Sequence, residues 1–147
     1  MMEIQELASK QALEKAFEVM KELRPHLDFA TFFALYQAAK KADDYRVVGL
    51  LKGGEVVAVM GYRQLHDLVR GQHLYIDDLV TTAAARSTGA GAKLLQFAEG
   101  EAKRLGCKSL RLCTGIDNDR GKKFYEREGW VCRSIAYVKA APSNTPG

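Results

Sequence analysis

"RSTGAGAKLL", residues Arg86 to Leu95, puts a guanidinium, two hydroxyls and two glycines directly ahead of an apolar run with helical spacing. A strand that feeds such a turn and then a helix leaves backbone N–H groups that no later turn of the helix can satisfy, at the positive end of the helix dipole. That combination attracts phosphate. Gly89 and Gly91 let a diphosphate approach bare backbone, Arg86 adds charge, and Ser87 and Thr88 add hydroxyl donors. Two standard phosphate loops do not fit. The Walker A loop requires G-x4-G-K-[ST], and no lysine followed by Ser or Thr stands at that place. The dinucleotide fingerprint G-x-G-x-x-G requires Gly or Ala where Leu94 stands, and the chain does not open with a βαβ unit.

Upstream of the turn, HLYIDDLVTT (73–82) reads as a strand. Before it, YRVVGLLK, Gly53-Gly54 and EVVAVMGYR read as strand, two-residue turn and strand, and a polar loop from Gln64 to Gln72 follows. Two amphipathic helices come earlier. Ser9 is placed to cap one that carries Ala12, Leu13, Ala16, Phe17, Met20 and Leu23 and stops before Pro25. Asp28 is placed to cap the second, with Phe29, Phe32, Phe33, Tyr36 and Ala39 at the same period. Downstream, a helix with Leu95, Ala98, Ala102 and Leu105 on one face ends at Gly106, SLRLCT (109–114) is a short strand, and Asp117 to Glu128 is a helix. Trp130 to Lys139 reads as a closing strand, and 141–147 as a loose tail. With a short first strand at Glu3 to Leu7, the order is β-α-α-β-β-β-α-β-α-β: an α/β (α+β) fold with a mixed sheet covered on both faces, in one domain spanning 1–140.

Composition narrows the function classes. The chain has 147 residues, long enough to bury about 68–70% of the surface its unfolded form exposes, so a core without staples is expected. No apolar run approaches the roughly 18 residues of a membrane span, and MMEIQELASK has acids where a secretory signal has a basic segment, so a cytoplasmic protein is expected. Cys107, Cys113 and Cys132 form no CxxC pair and read as reduced thiols, and His26, His66 and His73 have no ligand-like spacing, so no metal site is expected. The net charge of +4 suits an anionic ligand, but Lys and Arg are scattered among acids, which gives nucleic-acid binding no support.

The turn R-x-x-G-x-G after a late strand, taken with Asn118-Asp119-Arg120-Gly121-Lys122-Lys123-Phe124-Tyr125-Glu126-Arg127-Glu128-Gly129-Trp130, resembles the GNAT superfamily of acyl-CoA-dependent N-acyltransferases over about residues 3 to 139. The second segment is similar to the family's N-x-x-A-x-x-[FL]-Y-x-x-x-G-[FW] pattern, with Gly121 in place of the alanine, and the proline common before the arginine is missing from Ala83-Ala84-Ala85. The resemblance implies a mainly antiparallel central sheet of six to seven strands with helices on both faces. It implies acetyl-CoA as cosubstrate, its pantetheine arm along backbone at Leu79, Val80 and Thr81, and its pyrophosphate on the stretch from Arg86, Ser87, Thr88, Gly89, Ala90 and Gly91 to Ala92. No metal is implied.

Under the same resemblance Tyr125 is the candidate general acid for the departing thiolate; Phe124 and Tyr125 lie about 100° apart on a helix, so one can pack while the other faces a cleft. Asn118 is either a bond to the pantetheine amide or a helix cap. For the proton that an incoming ammonium must lose, Asp78 is chosen over Asp77, with water as the other route; adjacent strand residues face opposite sides, so at most one carboxylate readily reaches the acceptor. A backbone N–H near Leu79 or Val80 is the expected oxyanion donor. The expected activity is acetyl transfer from acetyl-CoA to a primary amine by direct attack in a ternary complex. The acceptor is a small amine or a protein amine, its pocket shaped by the early helices and the loop from Gln64 to Gln72. A homodimer is compatible with this reading. The rival is a non-catalytic acyl-CoA-binding sensor module.

Overall fold

The computed structural model of the chain describes residues 2–143. Two compact units divide it, one running up to Cys113 and the other from Thr114 onward. In the first, the order is β1 (Met2–Glu6), α1 (Lys10–Leu23), α2 (Phe29–Asp43), β2 (Arg46–Lys52), β3 (Glu55–Asp67), β4 (Gly71–Thr81), a 3-10 turn (Ala83–Ala85), α3 (Ala90–Leu105) and β5 (Ser109–Leu112). The second unit contributes α4 (Asp119–Arg127).

The sheet has five strands in the order β1-β2-β3-β4-β5, antiparallel up to β4 and parallel between β4 and β5. The expected six to seven strands are therefore five among the described residues. The missing one is the closing strand expected over Trp130–Lys139, which has strand-like composition but no ladder. A second correction falls on Gln64 to Gln72. Gln64–Asp67 continue β3 and Gly71-Gln72 begin β4, so the expected loop is a hairpin whose tip exposes Leu68 and Val69. The tail expected over 141–147 lies beyond the described residues from 144 on.

Local chemistry explains most boundaries. The Ser9 hydroxyl accepts the Ala12 N–H at 3.1 Å, and α1 ends where Pro25 forbids another turn. Gly53 and Gly54 take φ of 59° and 82°, the pair of positive values a two-residue hairpin turn needs. Alternation along β2 and β3 then sorts the core. Val47 and Val59 join Leu13, Phe17, Met20, Phe32 and Tyr36 beneath α1 and α2. Residues of the other parity face α3, where the Tyr62 ring meets Phe97 edge-on at 6.2 Å and its hydroxyl donates to Glu101 at 2.9 Å. Helices thus cover both faces of the sheet. Among the described residues no helix is long and apolar enough to cross a membrane.

Candidate active site

β4 pairs with β5 only from His73 to Ile76. From Asp77 to Thr81 it keeps β3 on one side, with Asp78 opposite Gly61, Leu79 opposite Met60, Val80 opposite Val59 and Thr81 opposite Ala58. On the other side no strand lies beside it among the described residues. Backbone N–H and C=O groups of a strand alternate between its two edges, so this stretch offers main-chain hydrogen bonds to an extended ligand.

The chain leaves that open edge through the 3-10 turn and enters α3. Arg86 and Thr88 donate their amides to Ala83 and Ala85, and Lys93 donates to Gly89. Among the described residues the amides of Ser87, Gly89, Ala90, Gly91 and Ala92 have no acceptor, and Gly89 (φ 84°) gives α3 no side-chain cap. Ser87 also holds a positive φ of 65°, which an L side chain takes only under tertiary constraint. The Thr88 hydroxyl donates back to the Ala85 carbonyl, so its proton is already engaged. Arg86 is exposed. A run of unpaired amides, a helix dipole and no Cβ at Gly89 form a donor set that fits a pyrophosphate.

The carboxylates of β4 depart from the expected alternation. The register shifts between Gly61 and Tyr62: Asp78 is opposite Gly61 while Ile76 is opposite Tyr62, leaving Asp77 as the extra residue of a bulge. Both acids enter one charged network. Asp78 accepts from Arg24 Nε at 3.0 Å and from the Tyr45 hydroxyl at 2.9 Å, and Arg24 Nη2 stands 2.8 Å from the same carboxylate oxygen. Asp77 accepts from Arg63 Nε at 3.1 Å and Nη2 at 2.7 Å, and Arg63 Nη1 donates to Asp43 at 3.0 Å. The Arg63 guanidinium lies 5.2 Å from the Tyr45 ring centre and so ties the two pairs together. Burial pushes the Asp77 carboxyl above its ordinary range, against the pull of Arg63. Burial, then the charge of Asp78, pushes the Tyr45 phenol well up, so it stays a donor. Tyr45 reaches Asp78 across β3, directly over Gly61, where any Cβ would collide with the Tyr45 hydroxyl and ring carbons.

Tyr125 lies on α4 with its ring 5.1 Å from Phe124 and 6.2 Å from Trp130, and burial pushes its phenol up from the ordinary value. Asn118 is the N-cap of α4: its Oδ1 accepts the Gly121 N–H at 3.0 Å and its Nδ2 donates to the Thr114 hydroxyl at 2.9 Å. A Cβ at 121 would strike the Asn118 amide as it stands here, so the alanine of the family pattern at this position would require that amide to shift. Sequence reasoning missed Arg24, Tyr45 and Arg63. The one available signal was Gly61 inside a strand, which marks close approach of another group. Among the described residues no group of three His, Cys, Asp or Glu side chains is placed to hold a metal.

A further concavity of about 330 Å³, lined by residues including Asp43, Arg46, Tyr62, Glu101 and Arg104, has its charges spent on one another.

Comparison with known proteins points to acetyltransferases. The acetyltransferase (GNAT) family model matches residues 6–130. An uncharacterised N-acetyltransferase of Bacillus subtilis strain 168, YhdJ, is 30% identical over 140 residues, covering 95% of this chain and 99% of the relative. The aminoalkylphosphonate N-acetyltransferase of Salmonella typhimurium LT2 is 28% identical over 119 residues, covering 80% of this chain and 77% of the relative. The solved structure of the aminoglycoside N-acetyltransferase AAC(6')-Iy in complex with CoA shares the fold at a TM-score of 0.83 and 20% identity, covering 96% of each chain.

Proposed function

The chain belongs to the GNAT acetyltransferase family, and on that premise we propose that it moves the acetyl group of acetyl-CoA to a primary amine by direct attack. The observation that carries this reading is the set of five unpaired amides between Ser87 and Ala92, at the end of the open edge of β4. The pyrophosphate takes those amides and Arg86, and the pantetheine arm takes main-chain bonds at Leu79, Val80 and Thr81. Asn118 would join the coenzyme only in competition with Thr114 and Gly121, which already hold both ends of its amide. The family match runs through both units, which supports residues 1–140 as a single acetyltransferase domain.

The amine nitrogen attacks the thioester carbonyl, forming a C–N bond and an oxyanion that a backbone N–H near Leu79 or Val80 stabilises. Collapse breaks the C–S bond, and the thiolate takes the proton of Tyr125, whose raised pKa keeps it protonated at neutral pH. The ammonium proton goes to Asp78, directly or through water. An ionised carboxylate has about four lone-pair sites, and Arg24 and Tyr45 leave one open on Oδ2. The acceptor is a small amine or a protein amine, and aminoalkylphosphonates and aminoglycosides head the panel because relatives and neighbours are named for them.

Thiol release from acetyl-CoA across that panel is the test, run with the wild type and Tyr125→Phe. The substitution should lower kcat by about 10² or more with CoA affinity unchanged. Equal turnover by the variant would remove Tyr125 from the mechanism. CoA binding without turnover on any amine would favour the sensor reading.

A further inference from the structure

Two arginines hold the carboxylates of β4, and they hold them differently. Arg63 is fully engaged: Nε and Nη2 donate to Asp77, and Nη1 donates to Asp43. Arg24 is engaged along one edge only. Its Nε and Nη2 both turn to Asp78 Oδ1, Nη2 also reaches the Asp77 carbonyl at 3.3 Å, and Nη1 meets no acceptor among the described residues. A guanidinium has five N–H donors, and those on Nη1 are therefore left over. The Arg24 side chain is 42% exposed against 23% for Arg63, which leaves these donors open to a solute.

The backbone fixes where Arg24 stands. Its N–H closes α1 on Met20 at 3.0 Å, and its C=O accepts the Leu27 N–H at 3.1 Å across Pro25 and His26. A proline at the second place of a four-residue turn presets that geometry. From this turn the side chain reaches Asp78, on the part of β4 that β5 does not pair with. Asp78 also has capacity left: among the described residues its Oδ2 accepts only the Tyr45 hydroxyl, at 2.9 Å. A cation and an anion thus stand side by side, each incompletely satisfied. Every residue involved lies in the first unit.

We infer that Arg24 and Asp78 form a two-charge acceptor subsite, which selects a short primary amine carrying an acidic group, a carboxylate or a phosphonate, near its nitrogen. The ammonium takes the open site on Asp78 Oδ2, and the acidic head takes Nη1 of Arg24. Such a ligand lies head to tail against the protein's own ion pair, so each charge in the subsite meets an opposite one. An acceptor with a second cation meets Arg24 instead and is repelled, which ranks polyamines last. The coenzyme phosphates are assigned to Arg86 and the amides before α3, and Arg24 is not needed for them. The inference rests on the acetyl-transfer reading for the fate of the amine, though not for its binding.

The test is acetylation, at saturating acetyl-CoA, of amines that share one aminoethyl skeleton: 2-aminoethylphosphonate, β-alanine, ethanolamine and ethylenediamine. For the better of the two acidic amines kcat/KM should exceed that for ethanolamine by about tenfold or more, with ethylenediamine the poorest. The acidic head also makes its amine more basic, so that less of it is free to attack, an effect that runs against the expected order. In Arg24→Gln that ratio should fall to about one, through KM for the acidic amine and not through KM for acetyl-CoA. A ratio of two acceptors within one variant cancels any shared loss of folding or of Asp78 basicity. Ethanolamine at least as good as both acidic amines, a ratio unchanged in Arg24→Gln, or a rise in KM for acetyl-CoA in place of the acceptor's would each overturn the inference. If no amine is acetylated, the acetyl-transfer reading falls separately, and calorimetry with the two acidic amines judges the subsite. Binding that Arg24→Gln abolishes upholds it, whereas binding absent from the wild type or unchanged in the variant overturns it.

Discussion

At the start of α2 the Asp28 carboxylate accepts the Thr31 N–H at 2.8 Å, while at the start of α3 Gly89 offers the helix no side-chain acceptor. The same contrast runs on: Ser9 caps α1 and Asn118 caps α4, so three of the four α-helices among the described residues accept a first-turn amide with a side chain of their own. Suitable residues stand close to the fourth. Ser87 and Thr88 lie two and one positions too early, and the Thr88 hydroxyl turns backward to Ala85. A self-capped start spends its amides on the fold, whereas α3 leaves its amides unpaired, the donor set proposed above for the pyrophosphate.

The contrast breaks hardest if α3 is made to resemble α2. Gly89→Asp supplies a carboxylate to the free amides, repels a pyrophosphate and strains a backbone at φ 84°. Acetyl-CoA affinity should fall by about 100-fold or more in calorimetry, equivalent to about 2.7 kcal/mol. Affinity within twofold of wild type would mean that this terminus does not hold the coenzyme. A smaller change sharpens the same point: Arg86→Ala should weaken acetyl-CoA binding by about tenfold and flatten its dependence on salt, because one charge-assisted contact is lost while the amides remain.

The converse substitution has the smallest effect. Asp28→Ala should lower the melting temperature by a few degrees and leave coenzyme affinity untouched. Hydrogen bonds from Thr31 hold the Asp28 carboxyl below its ordinary value of 3.8. Its contribution is therefore complete above that value and is lost as pH falls through the lower folded-state value. Melts at pH 6 and pH 3 should show the gap between wild type and variant closing at the acid end; a gap unchanged at pH 3 would mean that the charge on Asp28 is not what stabilises α2.

Local signals made much of this readable in the sequence. Caps at Ser9 and Asp28, the Gly53-Gly54 turn and the period of α1 are written in neighbouring residues, and so is the uncapped start at Gly89. The bulge at Asp77 was not legible, because it arises from how β3 and β4 align and not from either strand alone. Arg24 lies 54 residues from Asp78 and Tyr45 lies 33 away, beyond any periodicity or motif. The closing strand expected over 130–139 forms no ladder among the described residues, because strand-like composition does not say where a hydrogen-bonding partner comes from.

Gly61 and Tyr45 cannot drift independently. The tyrosine occupies the space a side chain at 61 would need, so a methyl group there must evict the phenol that steadies Asp78. In a library randomised at both positions, a large aromatic at 45 should survive only with glycine at 61, while an alanine at 61 should be rescued by a truncated residue at 45 that folds and no longer supports the carboxylate. Sequence drift around this site is therefore confined to coordinated double steps, each of which trades the support of an acid for freedom of the strand.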